Sequence, residues 1–596
     1  MRKFKRFIKR QNQPNTRSNR KRVGIVLIFS SLALFIVCAV RISYVVLGGQ
    51  VAGVSLAQRT EALYNGTETI HANRGQILDR SGNPLVMNSQ QFDMYAILSP
   101  DYQDGNTPLY LPQEKFAAAA EIISRHIDSK TEEIEAMLNK GITDDGEILF
   151  QVELGSAAKA LNLEQKTAIE QELAAANISG IHFTASNSRS YANGSLAAHL
   201  LGYTTNDDGK MIGSAGLEKL YDQILAGTDG KIEYQRNAQG NPVPGTVKET
   251  QEVSDGTDVT TTLSEPLQMQ LEQLLNTADA SAQAENLTGV LMNAKTGDIL
   301  AMAQRPTFNP ETMDGTDAEN FVWRNLFTEE QYEPGSTLKV GTLATAIDAG
   351  VFNPNEVIPA GQIKVGDTVI NDHDLGQKGP LTMRQAFSWS SNVGMVELFN
   401  KMGAEKWQAA MKQMGFGQTT NSGLEEAAGM LPTDNIVDLA MSTYGQAISV
   451  NQLQMLRLYS AIANGGVPVQ PHVVADENNN SNQDEDPFFS AEASQQVLNY
   501  MRDVVEDQNY GTAYGLYNLP GHAVSAKTGT AQISAEDGSG YGVGTSEYLY
   551  SVALVYPTDE PQYILYLTMK RPQNYSADSL PNIANPLMAS SMQLGE

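Results

Sequence analysis

Glu333-Pro334-Gly335-Ser336-Thr337-Leu338-Lys339 opens on a turn signal and runs into a helical pattern, with Val340, Leu343, Ala344 and Ile347 at apolar spacing. The first turn of a helix sets residues i and i+3 side by side, so Lys339 can reach Ser336. The amides at that N-terminus favour a developing negative charge. Two more stretches follow in order: Ser390-Ser391-Asn392, and Lys527-Thr528-Gly529-Thr530 inside the small-residue run 523–531. Together they supply a nucleophile with its base, a relay with an amide-binding group, and a strand carrying a cation and hydroxyls. That is equipment for attacking an amide carbonyl through serine.

Each motif alone is weak, and each has a second copy here: Ser156-Ala157-Ala158-Lys159, Ser449-Val450-Asn451 and Lys295-Thr296-Gly297. Context separates them. Ser156 opens a helix with the look of an ordinary N-cap. Lys295-Thr296-Gly297 lies between the apolar runs 288–292 and 299–303 and is expected to be a hairpin turn.

The first 22 residues hold ten Lys/Arg and no Asp or Glu. Residues 23–40 then run uncharged to Arg41. With the apolar residues 42–47 this is long enough to cross a bilayer. The basic side stays in the cytoplasm, which puts everything beyond about residue 48 outside. A cleaved secretory signal is the competing interpretation, but no clear small-x-small site directly follows the apolar run. The net charge is −27, so removing the ten N-terminal positives leaves −37 for the remainder. That remainder is too acidic to favour nucleic acid. Cys38, the single cysteine, lies in the span, so the outer part has no disulfides. Seven His and one Cys show no metal-ligand spacing. Neither a metal nor another cofactor is expected.

Beyond the span, residues 50–64 are expected to continue as a helical stem. A short strand with turns on both sides covers 71–82, and helices are expected over 113–127 and 131–140. Glycine-rich blocks follow at 188–203 and 216–230. None of this region looks catalytic, and turns and packing account for it. From about residue 260 the character changes: a strand, a helix over 265–280, the hairpin 288–303, and a long helical stretch carrying the first two motifs. Residues 476–487 are a polar, acidic loop. Two more strands, 548–556 and 563–569, follow Lys527. Strands at both ends with helices between imply one antiparallel sheet flanked by helices, an α+β fold.

At these motifs the chain resembles the class B high-molecular-weight penicillin-binding proteins, and within the class the septal 2x type. Arg74-Gly75-Gln76-Ile77-Leu78-Asp79-Arg80, the block 199–203 and Gly216-Leu217-Glu218 resemble the pedestal, or dimerisation, domain. Tyr332 to Ser336, Ser390 to Met395 and Ala526 to Thr530 resemble the transpeptidase domain, which is β-lactamase-like in fold. Gly445 to Val450 resembles a further family segment, leaving Ser449 structural. The implied organisation is a basic tail over 1–22, a membrane helix over 23–47, an elongated pedestal over 48–255 and a transpeptidase domain over 256–596. The 2x type continues into small C-terminal repeat domains that do not appear before Glu596, so an elongation-type role stays open. Ala192 stands where proline is expected.

The resemblance implies a peptidoglycan D,D-transpeptidase in the cell membrane that acts on stem peptides ending in D-Ala-D-Ala and is acylated by β-lactams. Ser336 would be the nucleophile and Lys339 its base, made neutral by the nearby Lys527 and partial burial. Ser390 would relay the proton, and Asn392 would hold the substrate amide. The amides of Ser336 and Thr530 would form the oxyanion hole. Lys527, Thr528, Gly529 and Thr530 would bind the substrate, the Thr528 and Thr530 hydroxyls near Lys527 holding the terminal carboxylate. Implied partners are the bilayer, a separate glycan polymerase and division proteins. On the docking view of the pedestal, changes at Arg74 or Gly75 are expected to weaken function in cells while sparing acylation. A β-lactamase would need a group to activate water, and a penicillin-sensing receptor would need a cytoplasmic effector larger than 22 residues.

Overall fold

The structure is a computed structural model describing residues 16–48, 50–51, 54–55, 64–104, 107–143, 145–207, 210–236, 243, 245–475, 485–533, 541 and 544–595. Chain contacts divide it into two compact units, residues 1–72 with 228–254, and residues 73–227 with 255–596.

In the first unit the apolar stretch is one helix, Thr16–Gly48. Its candidate span, Arg20–Val46, has 27 residues and contains an 18-residue window of mean hydropathy 2.9 with no residue buried. At 1.5 Å per residue that is about 40 Å, enough to cross about 30 Å of hydrocarbon with tilt. The helical stem expected over 50–64 is corrected: Gln50–Val51 and Val54–Ser55 form an antiparallel ladder. The helix ends at Gly48, a residue type that weakens helix continuation. Residues 52–53 and 56–63 lie outside the described residues. Asn65–Ile70, Gly230–Gln235 and Lys248–Gln251 form a three-stranded antiparallel sheet in this unit.

In the second unit the long strands Pro84–Ile97 and Ile181–Tyr191 pair antiparallel. Helices Phe116–Ser124, Thr131–Asn139 and Leu163–Ala175 share a small core with them through Phe92, Met94, Ile123, Leu138 and Leu173. Ser156 opens only a single 3-10 turn, Ser156–Ala158. The helix that follows is capped by Asn162, whose side chain takes the Gln165 amide at 2.8 Å while Gln165 reciprocates at 3.0 Å.

The glycine-rich blocks hold something the sequence did not disclose. Arg74, Arg189 and Glu218 are 2%, 2% and 0% exposed. Glu218 takes Arg74 Nε at 2.6 Å on one carboxylate oxygen and Arg189 Nε at 2.8 Å on the other. Arg189 also donates to the Gly75 carbonyl at 2.7 Å, and Arg74 pairs with Asp222 at 2.7 Å. A Cβ on Gly75, itself buried, would sit 2.2 Å from the Thr257 carbonyl oxygen. Three blocks far apart in sequence are thus joined by buried charge, and Arg74 is a structural residue rather than a docking one. Arg74→Ala leaves an incompletely paired carboxylate inside the protein. It is expected to cost about 3–5 kcal/mol, read as a fall in the denaturation midpoint. An unchanged midpoint contradicts this assignment.

The rest of the second unit is built on a five-stranded antiparallel sheet. Its order is Ile299–Arg305, Asn286–Asn293, Tyr563–Lys570, Tyr548–Tyr556, Ser525–Gln532. Side chains alternate across a sheet. A Cβ on Gly289 would meet Leu271 of helix Glu265–Ala282, whereas the adjacent Thr288 bonds to Gln452 at the start of helix Gln452–Ala463. The two helices therefore cover opposite faces, and both strands of the 286–305 hairpin are almost wholly buried. Lys295 lies in the hairpin turn, as expected. Ser525–Gln532 stands at the sheet edge, with no strand partner on one side among the described residues.

Candidate active site

Ser336 sits in a 3-10 turn, Gly335–Leu338, that feeds helix Lys339–Asp348. Two glycines make the turn possible. Gly335 has φ +55° and bonds to the Gly445 carbonyl at 2.9 Å. Gly445 has φ +85°, and a Cβ there would lie 2.0 Å from the Gly335 oxygen. Thr337 locks the turn from below: its hydroxyl donates to the Pro334 carbonyl at 2.7 Å and meets Tyr566 OH at 3.2 Å. Tyr459 OH donates to the Thr337 carbonyl at 2.7 Å. These tyrosines were not found by sequence, because nothing local connects them to residue 337.

The turn lies against the edge strand. A Cβ on Gly529 would be 3.1 Å from Thr337 Cγ2 and 2.2 Å from Ser551 Oγ. Glycine at 529 is therefore what lets the serine approach the strand. Thr528 and Thr530, two apart on that strand, share a face; Thr528 is half-buried and Thr530 exposed. Thr528 Oγ1 is 2.8 Å from Thr512 Oγ1.

Ser390-Ser391-Asn392 forms a corner between two helices. Met383–Ser388 ends through Trp389 in a left-handed residue, Ser390, at φ +60°, a backbone state that costs an L-residue about 1–2 kcal/mol. The amides of Ser390 and Ser391 bond back to Phe387 and Ala386 at 3.0 and 2.7 Å. Ser391 then caps helix Asn392–Met402, accepting from the Gly394 amide at 2.9 Å. The corner aims Ser390 and Asn392 at the two lysines.

Lys339 and Lys527 are both fully buried. Lys339 Nζ donates to the Ser390 carbonyl at 2.5 Å, Ser390 Oγ at 3.2 Å and Asn392 Oδ1 at 2.9 Å. Lys527 Nζ donates to Ser390 Oγ at 2.8 Å and the Thr528 carbonyl at 2.9 Å. Ser390 Oγ thus bridges the two lysines. All three donors of a charged Lys339 go to residues 390 and 392, so Ser336 becomes its partner only when that set is rearranged. Desolvation brings the Lys339 amine down to about 7, against the pull of the Asp372 carboxylate. Burial first, and repulsion from Lys339 second, hold Lys527 well below the ordinary lysine range. The sequence expectation is corrected here: burial is complete and leads, and the opposing charge on Lys339 is Asp372.

The structure adds Asp372 and His373, which sequence did not single out, and gives the Glu333 side chain a role. Asp372, 3% exposed, accepts from the Asn392 and Val393 amides at 2.7 and 3.0 Å and from Ser391 Oγ at 2.9 Å. His373 packs against Trp389 with ring centres 4.9 Å apart and planes tilted by 40°, and Lys378 Nζ lies 4.5 Å over the Trp389 ring. Glu333 Oε1 ties the serine segment to the 445–447 loop, accepting from the Ala447 amide at 2.9 Å. The second copies of the motifs fall elsewhere: Ser449 Oγ donates to Gln331 at 3.2 Å, Lys295 Nζ to Asn464 at 2.9 Å, and Lys159 pairs with Glu153 at 3.0 Å.

Two family profiles match the chain. One, described as the penicillin binding protein transpeptidase domain, covers residues 287–589, and the other, the penicillin-binding protein dimerisation domain, covers 69–261. Penicillin-binding protein PbpB of Mycolicibacterium smegmatis is 32% identical over 67% of this chain; the match spans 63% of that protein, less than two thirds of its length. Peptidoglycan D,D-transpeptidase FtsI of Escherichia coli is 25% identical over 85% of this chain and 80% of its own. The crystal structure of penicillin-binding protein 2X from Streptococcus thermophilus is 35% identical with a TM-score of 0.72, covering 89% of this chain and 80% of that one. With the serine turn, the two buried lysines and the helix corner disposed as described, this chain belongs to the class B penicillin-binding proteins, the peptidoglycan D,D-transpeptidase family.

Proposed function

We propose that this chain cross-links peptidoglycan stem peptides through an acyl-enzyme on Ser336, by the following route. Neutral Lys339 takes the Ser336 proton as Oγ bonds to the carbonyl carbon of the penultimate D-Ala. Backbone amides of Ser336 and Thr530 hold the oxyanion, an effect worth about 3–4 kcal/mol of barrier where such a donor has been removed. Ser390 passes the proton to the leaving D-Ala nitrogen as the C–N bond breaks. Lys527, Thr528 and Thr530 hold the terminal carboxylate, and Asn392 the substrate amide. An amine from a second stem peptide then attacks the ester, forming a C–N bond and returning the proton to Ser336. The free edge of Ser525–Gln532 suits an extended peptide added as a further strand. The observation that carries this reading is the triangle of Lys339, Lys527 and Ser390 beside a serine on a constrained turn. β-Lactams would enter by the same attack.

The test is purified full-length chain in detergent. Supplied with pre-polymerised glycan bearing pentapeptide stems, it is expected to yield cross-linked dimers and free D-Ala. Supplied with lipid II alone, it is expected to make no glycan chains, because the region 48–255 is read as a docking pedestal preceding a transpeptidase domain over 256–596. D-Ala release without dimers would mean a carboxypeptidase. Glycan chains without a partner would mean the pedestal is itself an enzyme. The finer role is septal, on the likeness to the 2x type; side-wall localisation of a fluorescent fusion would reassign it to elongation.

The membrane placement follows from the ten basic residues before the span. Protease added to intact spheroplasts is expected to remove the penicillin-binding part. Full protection would place the catalytic part in the cytoplasm.

A further inference from the structure

Asp372 carries more than a cap. It follows strand Thr368–Asn371 and is buried among four hydrogen-bond donors. The Gly361 amide reaches one oxygen at 3.0 Å, and Ser391 Oγ reaches both, at 2.9 and 3.1 Å. The amides of Asn392 and Val393 complete the set at 2.7 and 3.0 Å. So the residue fastens the corner that presents Ser390 and Asn392. Those two residues provide every acceptor that Lys339 Nζ uses. Asp372 is linked to Lys339 through Asn392, whose amide it takes and whose side-chain oxygen takes the lysine.

Burying an unpaired carboxylate is costly. Four donors reduce that cost, and the alternative, an asparagine, would still cap the helix. A charge retained there acts on its surroundings. The titratable groups around Lys339 are Lys527 on the edge strand, Asp372, and His373, which itself feels Asp374, Lys339, Asp372 and Lys527. His373 is pushed down by burial and so sits neutral near pH 7. Asp372 is the one carboxylate that favours the charged form of Lys339.

We propose that Asp372 is a positioning residue for acylation: it holds the 390–392 corner in register with Lys339 and supplies the buried negative charge against which Lys339 changes protonation. This rests on Lys339 being the base. Two substitutions separate the functions. Asp372→Asn keeps the shape and removes the charge. Asp372→Glu keeps the charge and pushes the corner by one methylene.

The measurement is the second-order rate of acylation of the full-length chain by a fluorescent penicillin from pH 5 to 9. In the wild type the rate rises with pH through neutrality as Lys339 loses its proton. In Asp372→Asn the ammonium loses its partner charge and deprotonates more readily, so the rising limb moves about one unit or more to lower pH. In Asp372→Glu the plateau falls, by up to about a hundredfold, with the limb in place. An unmoved limb in Asp372→Asn overturns the proposal. So does a limb in Asp372→Glu that shifts down by a unit, a result that decides the matter even where the asparagine variant fails to fold. A wild-type profile with no rising limb near neutrality would instead refute Lys339 as the base.

Discussion

Ser336→Ala is expected to abolish covalent labelling by a fluorescent penicillin and to lower cross-linking by at least about a thousandfold. Among the described residues, the other candidate hydroxyls are committed elsewhere. Ser390 Oγ is held between two lysines, Ser449 faces Gln331, and Ser156 belongs to a different core. The variant should still fold. Ser336 is half-buried, while the turn is held by Thr337, Gly335 and the tyrosines rather than by the serine side chain. The change in unfolding free energy should stay within about 0.5 kcal/mol. Labelled peptide is mapped after proteolysis of the wild type, and the variant is run alongside. Label on Ser390 or Ser156, or undiminished label in Ser336→Ala, would remove Ser336 from the mechanism.

Loss of the Lys339 amine is expected to have the second-largest effect. Lys339→Met keeps the length and removes the base, so acylation should fall by about a hundred- to ten-thousandfold. Lys339→Arg keeps a cation that does not give up its proton, and should be equally slow with a rate flat in pH. The burial of Lys339 alters what each variant does to stability. Methionine leaves the Ser390 carbonyl and the Asn392 side-chain oxygen without their donor, at about 1–3 kcal/mol each, offset in part because an amine no longer has to be desolvated. Arginine must fit a larger planar group where lysine already has no exposed surface, so it should be the less stable of the two. Denaturant midpoints measured beside acylation rates separate the effects. Acylation within a few-fold of wild type in both variants would send the search for a base to Lys527, the other buried amine bonded to Ser390.

Much of this arrangement was present in the chain's order of residues. The apolar run after a basic tail dictates a membrane-length helix, because length and hydropathy alone decide whether a segment can cross hydrocarbon. The catalytic strands are legible because a sheet covered on both faces needs continuous apolar runs, as in Ile299–Arg305 and Tyr548–Tyr556. Ser336 and Lys339 declare themselves by helical spacing, a relation confined to one turn. Ser390-Ser391-Asn392 is composed of residues suited to a helix end and a helix start, which is what that corner requires.

Only the tertiary structure decided the rest. That Lys339 and Lys527 share one hydroxyl depends on bringing residues 339, 390 and 527 together, and burial deep enough to neutralise an amine is a property of the packed protein, not of its neighbours in sequence. Asp372 looks like any loop aspartate until the amides of helix Asn392–Met402 are folded onto it. Arg74 and Glu218 are 144 residues apart and look like surface charges in a turn-rich block, yet they are buried together. Residues 50–55 show the same dependence from the other side: apolar helical patterning continues past Gly48, yet Gln50–Val51 and Val54–Ser55 pair as a ladder instead. Local patterns record which element a residue joins. Protonation states, buried charge pairs and the closeness of Ser336 to the edge strand arise from contacts between distant elements, whose energies no short window of sequence contains.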